Sequence, residues 1–217
     1  SPKTLRGRKT VMSIKLFLRS AGAALLCAAA IWSAYNLTQV YGAGKGMDET
    51  NAKLAARINE HDIVPEGYSE SVIPDYILNQ AMEMPTEEID GLEYVGKISM
   101  PGYSKDFPVI NEWSYDNLNI APCRYEGSAY QNNLVILAHN YPGQFDFIKD
   151  MAVGDLVLFT DVDGNEFGYE TTSIRTLKPE ETDKLYDEDW DLSLFTCTST
   201  GVARLVVGCQ LVAAPGK

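Results

Sequence analysis

Histidine and cysteine are scarce in this chain, with two and four occurrences among 217 residues. So few cysteines exclude a disulfide-built scaffold, which needs a dense and even set. Basic side chains are also short in supply, and the formal net charge is −12. That balance excludes nucleic acid as a partner, because phosphate recognition needs a basic footprint. No cysteine and histidine set has zinc-ligand spacing. The run DVDGNE from Asp161 opens like a calcium loop, but Glu166 and Thr172 stand where such a loop needs Gly and Glu. A D-G turn between two β runs explains it better. No metal and no other cofactor is expected.

The shortage of base is uneven. Residues 1–47 carry seven basic side chains and no acidic one, which leaves 11 basic against 30 acidic residues in the remainder. Behind that head lies the longest uncharged run, 20–44, which includes AGAALLCAAAIWSAY. A span needs about 20 mostly apolar residues, and base ahead of it orients the N-terminus inward. The expectation is therefore a cytoplasmic basic tail over 1–19, a single-pass transmembrane signal anchor over 20–44, and an extracellular remainder in the cell membrane. A cleaved signal peptide is the competing reading. Residues 45–90 are polar, acidic and interrupted by Pro65, Pro74 and Pro85. They read as a partly helical stalk, with Leu54, Ile58 and Ala55 as a weak apolar face.

From Gly91 to the end the texture is short apolar runs separated by turns. EYVGKISM, FPVINEW, NNLVILAHN, DLVLFTD, EFGYETTSIRTL, WDLSLFTCT and ARLVVGCQLV are the strand candidates. Short helices fit Tyr115–Leu118 and Gln144–Lys149. The fold class is all-β, a barrel or a sandwich.

The candidate chemistry gathers at strand ends. His61 sits among charged neighbours and reads as solvated, whereas His139 closes an apolar run. Cys197 closes another, beside the polar TSTG turn, and Arg204 opens the next strand seven residues later. Alternation puts Ser193, Phe195 and Cys197 on one face and Leu192, Leu194 and Thr196 on the other. Cys123 and Cys209 read as packing residues, with a disulfide between them left open. A thiol nucleophile, a proton-handling imidazole and a guanidinium facing a developing oxyanion are the parts of an acyl-transfer site. Asp187, Glu188, Asp189 and Asp191 work against a thiolate, so Cys197 and His139 are expected to rest mostly neutral.

The runs LVILAHNYPGQF and LSLFTCT, with the arginine seven residues past the cysteine, resemble the sortase family of Gram-positive bacteria. The similarity covers about residues 91–212, and the form is most similar to class B-like or unclassified Firmicute members, without the long helical insertion before the cysteine strand. The resemblance implies a closed eight-stranded β-barrel with short helices as the catalytic domain over 91–217. It implies Cys197 as nucleophile, His139 as proton-transfer partner and Arg204 as oxyanion or substrate stabiliser. Thr196, Thr198, Ser199 and Asn140 would be substrate-binding. The implied partners are proteins bearing an LPxTG-like sorting signal and an amine acceptor, either a lipid-linked cell-wall precursor or a pilin lysine. The alternatives are a non-catalytic external β-domain that binds a surface or cell-wall partner, and a cysteine protease that transfers its acyl group to water.

Overall fold

The computed structural model describes residues 3–61, 73–186, 190–198 and 201–213. They fall into two units, Ser1–Gly42 and Ala43–Lys217. Helix α1 runs Lys3–His61. No helix among the described residues is long and apolar enough to cross a membrane. Seven of the fifteen residues in the run 21–35 are alanine, and burying a methyl side chain contributes far less than burying Leu or Ile.

In the second unit the end of α1 belongs to the core. Met47, Leu54 and Ile58 are buried, which follows from their near-helical spacing. Lys53 holds Asp90 at 2.8 Å and Arg57 holds Glu87 at 3.6 Å. Exposed pairs of this kind contribute under about 1 kcal/mol each, so burial of the apolar face carries the docking. A short helix, α2 (Asp75–Leu78), follows. The second unit thus begins at Ala43, within the last residues of the uncharged run 20–44, and takes in the whole segment 45–90 whose sequence reads as a stalk.

Nine strands follow: β1 (Glu87–Ile89), β2 (Leu92–Met100), β3 (Lys105–Ile110), β4 (Cys123–Glu126), β5 (Leu134–Leu137), β6 (Leu156–Asp161), β7 (Glu166–Leu177), β8 (Leu192–Cys197) and β9 (Arg204–Ala213). Helix α3 (Tyr115–Leu118) lies between β3 and β4, and a 3₁₀ segment, Phe145–Asp150, follows β5. The strand order is β1-β2-β3-β4-β5-β8-β9-β7-β6, and β6 pairs back onto β2. Eight strands therefore close into a barrel, and β1 is an outside edge. Closure depends on Gly96, whose φ is +152° and whose added Cβ would run into the Thr160 carbonyl oxygen. The β2–β3 register also slips between Tyr94 and Gly96. A bulge at a glycine lets β2 bend from one neighbour to the other.

Two of the pairings are parallel, β3 with β4 and β5 with β8. The second matters most for function. It lays β5 alongside β8 with Leu137 opposite Phe195, while β8 runs antiparallel to β9 with Cys197 opposite Arg204. Leu134, Ile136, Leu192, Leu194, Val206 and Val207 are fully buried across these three strands. Apolar packing of that density fixes the strand ends that carry the polar residues. The link from β7 to β8 contains only a 3₁₀ segment, Pro179–Tyr186, among the described residues.

Candidate active site

Cys197 is the last residue of β8 and Arg204 the first of β9, and they are direct cross-strand partners. Residues opposite one another in an antiparallel pair project to the same face. Extending the parallel register by two residues from the Leu137–Phe195 pair sets His139 level with Cys197. The backbone N–H of Ala138 donates to the Phe195 carbonyl at 3.2 Å, so the strands stay joined beyond the ladder. Three adjacent strands therefore deliver His139, Cys197 and Arg204 to one end of one face. Each of the three is partly exposed, while the apolar residues behind them are buried.

The histidine is held on several sides. Its backbone N–H donates to Gln144 Oε1 at 2.8 Å, and Gln144 Nε2 donates to the Leu118 carbonyl at 3.0 Å. Gln144 is buried, so this amide ties the loop after β5 to α3. The ring stacks on Tyr141 with centroids 4.5 Å apart. Its Nε2 lies 3.2 Å from Asn119 Oδ1. An amide oxygen only accepts, so this contact calls for Nε2 to carry the proton and leaves Nδ1 as the basic nitrogen. Burial pushes the imidazole below its ordinary value, which favours the neutral ring.

The other cysteines are different. All four are free, so the disulfide left open between Cys123 and Cys209 is not formed. Burial pushes both of those thiols up to about 12, where the thiolate is negligible at neutral pH. Cys197 is part-exposed at a strand end, the setting a nucleophile needs.

The expected substrate-binding residues divide. Thr196 is 1% exposed and its hydroxyl donates to the Ala138 carbonyl at 2.7 Å. It therefore clamps β8 to the residue before His139 and does not face outward. Thr198 shapes the hairpin: its Oγ1 accepts from Ala203 N–H at 3.2 Å and its carbonyl from Gly201 N–H at 2.8 Å. Asn140 is half-buried beside His139. Ser199 lies outside the described residues, as do Asp187, Glu188 and Asp189 of the acidic loop. Asp191 points into the fold, accepting from Leu211 N–H at 2.7 Å. Sequence reasoning missed Gln144, Asn119 and Tyr141, since nothing in their spacing marks them as neighbours of His139.

The DVDG turn closes on itself. Asp161 is fully buried, and its carboxylate accepts from Tyr130 Oη at 2.7 Å, Asp163 N–H at 3.0 Å, Asn165 N–H at 2.8 Å and Asn165 Nδ2 at 2.8 Å. Both oxygens are thus taken by the chain's own donors. Among the described residues no cluster of His, Cys, Asp and Glu could hold a metal ion.

Comparison with known proteins now decides the family. A profile of the sortase domain matches residues 98–212, more than half of the chain. The chain belongs to the sortase family. It is a sortase-type cysteine transpeptidase. Sortase A of Bacillus anthracis is 26% identical over 143 residues, covering 62% of this chain and 68% of that protein. The Sortase D5 transpeptidase of Clostridium perfringens superposes with a TM-score of 0.55 at 20% identity, covering 78% of this chain and 99% of that one. Sortase A from Corynebacterium diphtheriae gives a TM-score of 0.50 at 20% identity, over 83% of this chain and 94% of that one. The two structural likenesses show the shared fold.

Proposed function

We propose that this sortase cleaves a sorting signal similar to Leu-Pro-x-Thr-Gly and joins the released carbonyl to an amine. The observation that carries the reading is the double register that sets His139, Cys197 and Arg204 on three neighbouring strand ends. Cys197 Sγ attacks the threonine carbonyl, its proton passes to His139 Nδ1, and the C–S bond forms as the oxyanion builds. Arg204, a fixed cation at the start of β9, lies on the face where that oxyanion develops. Collapse breaks the C–N bond and His139 returns the proton to the leaving amine. An incoming amine then attacks the thioester, forming a new C–N bond and regenerating the thiol. The energy of the first peptide bond is retained in the thioester, so neither nucleotide nor metal enters the balance.

The acceptor proposed is the amine of a lipid-linked cell-wall precursor or a pilin lysine. The location proposed is the cell membrane, N-terminus inside and barrel outside, supported by seven basic residues ahead of the uncharged run 20–44. Carbonate extraction of membranes from cells making the full chain should leave it in the pellet.

The deciding experiment uses purified protein, an LPxTG-type peptide and glycinamide, followed by mass spectrometry. Wild type should form a Cys197-linked acyl-enzyme and an amide product, and Cys197→Ala should lose about a thousandfold or more in rate. Equal cleavage by Cys197→Ala would overturn the proposal. Product formation at one rate with and without amine would make the enzyme a hydrolase.

A further inference from the structure

The loop after β5 is folded so that it covers the catalytic imidazole. Tyr141, Pro142, Gly143 and Gln144 form a β-turn: the Gln144 N–H donates to the Tyr141 carbonyl at 3.0 Å, and Gly143 takes φ +95°. Proline second and a positive-φ glycine third are what a type II turn requires. The Phe145 N–H then closes on the His139 carbonyl at 3.0 Å. This turn lays the Tyr141 ring over the His139 ring, with 4.5 Å between centroids and 22° between planes. A separate element holds the ring edge. Asn119 caps the C-terminal end of α3, and its Oδ1 lies 3.2 Å from His139 Nε2. One face and one nitrogen of the imidazole are thus engaged, and Nδ1 is left for the thiol proton.

Both contacts distinguish the two charge states of the ring. A neutral imidazole stacked on a phenol gains mainly dispersion and burial. An imidazolium is a flat, delocalised cation, and the negative face of the phenol attracts it. A hydrogen bond from a charged donor is about twice as strong as one between neutral groups. The Nε2–H therefore holds Asn119 Oδ1 harder once the ring is charged. Burial works in the opposite direction and disfavours the cation. His139 is charged only while it keeps the thiol proton. Contacts that strengthen at that moment speed the step, whereas contacts equal in both states do not.

We infer that Tyr141 and Asn119 are positioning residues for acyl transfer: they fix the Nε2-protonated ring and stabilise the imidazolium that forms as Cys197 attacks. This rests on the transpeptidase reading above. As the S–C bond forms, the Cys197 proton moves to Nδ1 and the carbonyl π pair moves onto oxygen. As the tetrahedral centre collapses, the C–N bond breaks and Nδ1 gives that proton to the departing amine. Nε2 stays protonated on Asn119 throughout. The titratable or charged groups at this end of the barrel are the Cys197 thiol on β8, the Arg204 guanidinium on β9 and the Tyr141 phenol on the loop itself. The α3 side presents the uncharged Asn119.

The test has two arms. In peptide cleavage, Tyr141→Leu should lower kcat about threefold and Asn119→Ala about fivefold, with KM changed less than about twofold. Leucine still covers the imidazole but has no negative face. Tyr141→Phe keeps that face and should stay within about twofold of wild type. Tyr115→Leu, at a tyrosine of α3 that is 76% exposed, should change nothing. The second arm reads the ring without catalysis, by ¹⁵N NMR of histidine-labelled protein in the Cys197→Ala background, where no thiol titrates beside it. His61 is the only other histidine, so two sets of signals are expected. Resting His139 should carry its proton on Nε2. Its proton affinity should fall about threefold with Tyr141→Leu and with Asn119→Ala. It should rise above wild type with Asn119→Asp, which sets an anion beside Nε2–H. A resting ring protonated at Nδ1, proton affinities that do not move in these directions, or a change in KM alone would sink the inference. If wild type cleaves no sorting peptide, the functional reading fails, and the NMR arm decides the role of Tyr141 and Asn119 separately.

Discussion

Two polar centres in this barrel were built to opposite specifications. At the β6–β7 turn, Asp161 is fully buried and meets four donors from its own chain. At the far ends of β5, β8 and β9, His139, Cys197 and Arg204 stay partly exposed. Around that second centre only the supporting groups are closed off: Thr196 on the Ala138 carbonyl, Gln144 on His139 N–H and the Leu118 carbonyl. A group whose hydrogen bonds are all taken holds structure; a group held from behind, with its working atom open, is free to react. The contrast explains why Asp161, although fully buried within a motif that suggests calcium, serves the turn. It also explains why one cysteine of the barrel is suited to chemistry and two are not.

The contrast among cysteines gives the largest expected effect. At pH 7.5 iodoacetamide should modify Cys197 in the folded protein and leave Cys123 and Cys209 intact. A thiol near 12 is thiolate only about once in 30,000 molecules at that pH, and burial blocks access besides. Peptide mapping after labelling reads this directly. Modification of Cys209 at a rate like that of Cys197 would erase the distinction.

Next comes the closed centre. Asp161→Ala removes the acceptor that Tyr130 Oη, Asp163 N–H and Asn165 share, and should lower unfolding stability by about 3 kcal/mol in urea titrations. Activity per folded molecule should persist, because none of those groups faces Cys197. A variant as stable as wild type would mean the network contributes little. One that folds normally but is inactive would tie Asp161 to the chemistry.

The supporting shell should respond more weakly. Gln144→Ala leaves His139 N–H and the Leu118 carbonyl without their buried partner. Peptide cleavage should drop about tenfold in kcat with little change in KM, since the imidazole is misplaced and the peptide groove is not. Gln144→Glu keeps the acceptor for His139 N–H and should recover part of the rate. A change in KM alone would move Gln144 from positioning the base to binding substrate.

How far these features could be read in advance depended on how local they are. Strand β7 was legible over its whole range, Glu166–Leu177, and β5, β6, β8 and β9 to within two or so residues at their ends, because apolar runs bounded by turns announce themselves. Strands β1 and β4 were not, since EEI and CRYE carry too little apolar pattern and exist through their partners' ladders. The end of α1 showed an apolar face in Leu54 and Ile58, but the surface that buries it comes from distant sequence. His139, Cys197 and Arg204 were each marked by a strand end. Their alignment came from a parallel pairing between strands more than fifty residues apart, which no local pattern contains. The resemblance implied a substrate-binding Thr196, yet strand alternation sets it opposite Cys197, and its hydroxyl donates inward to the Ala138 carbonyl.

The smallest effect concerns pH. Burial holds the His139 imidazole below its ordinary value, so between that native value and about 6.5 the unfolded chain binds more protons than the folded one. Stability then rises with pH across that window and is lost as pH falls through it. The stabilising difference is fully present at neutral pH, where the ring is neutral in both states, and the penalty grows on acidification. Urea titrations at pH 7.5 and pH 5 should show wild type losing more than His139→Gln, by under about 1 kcal/mol. His61 and the carboxylates titrate in both proteins and cancel in the difference. The same lowered value keeps Nδ1 unprotonated near neutrality, so cleavage should fade toward acid in step with the stability loss. If His139→Gln loses as much as wild type, the ring is not buried enough to matter, and it then resembles the open thiol more than its closed supports.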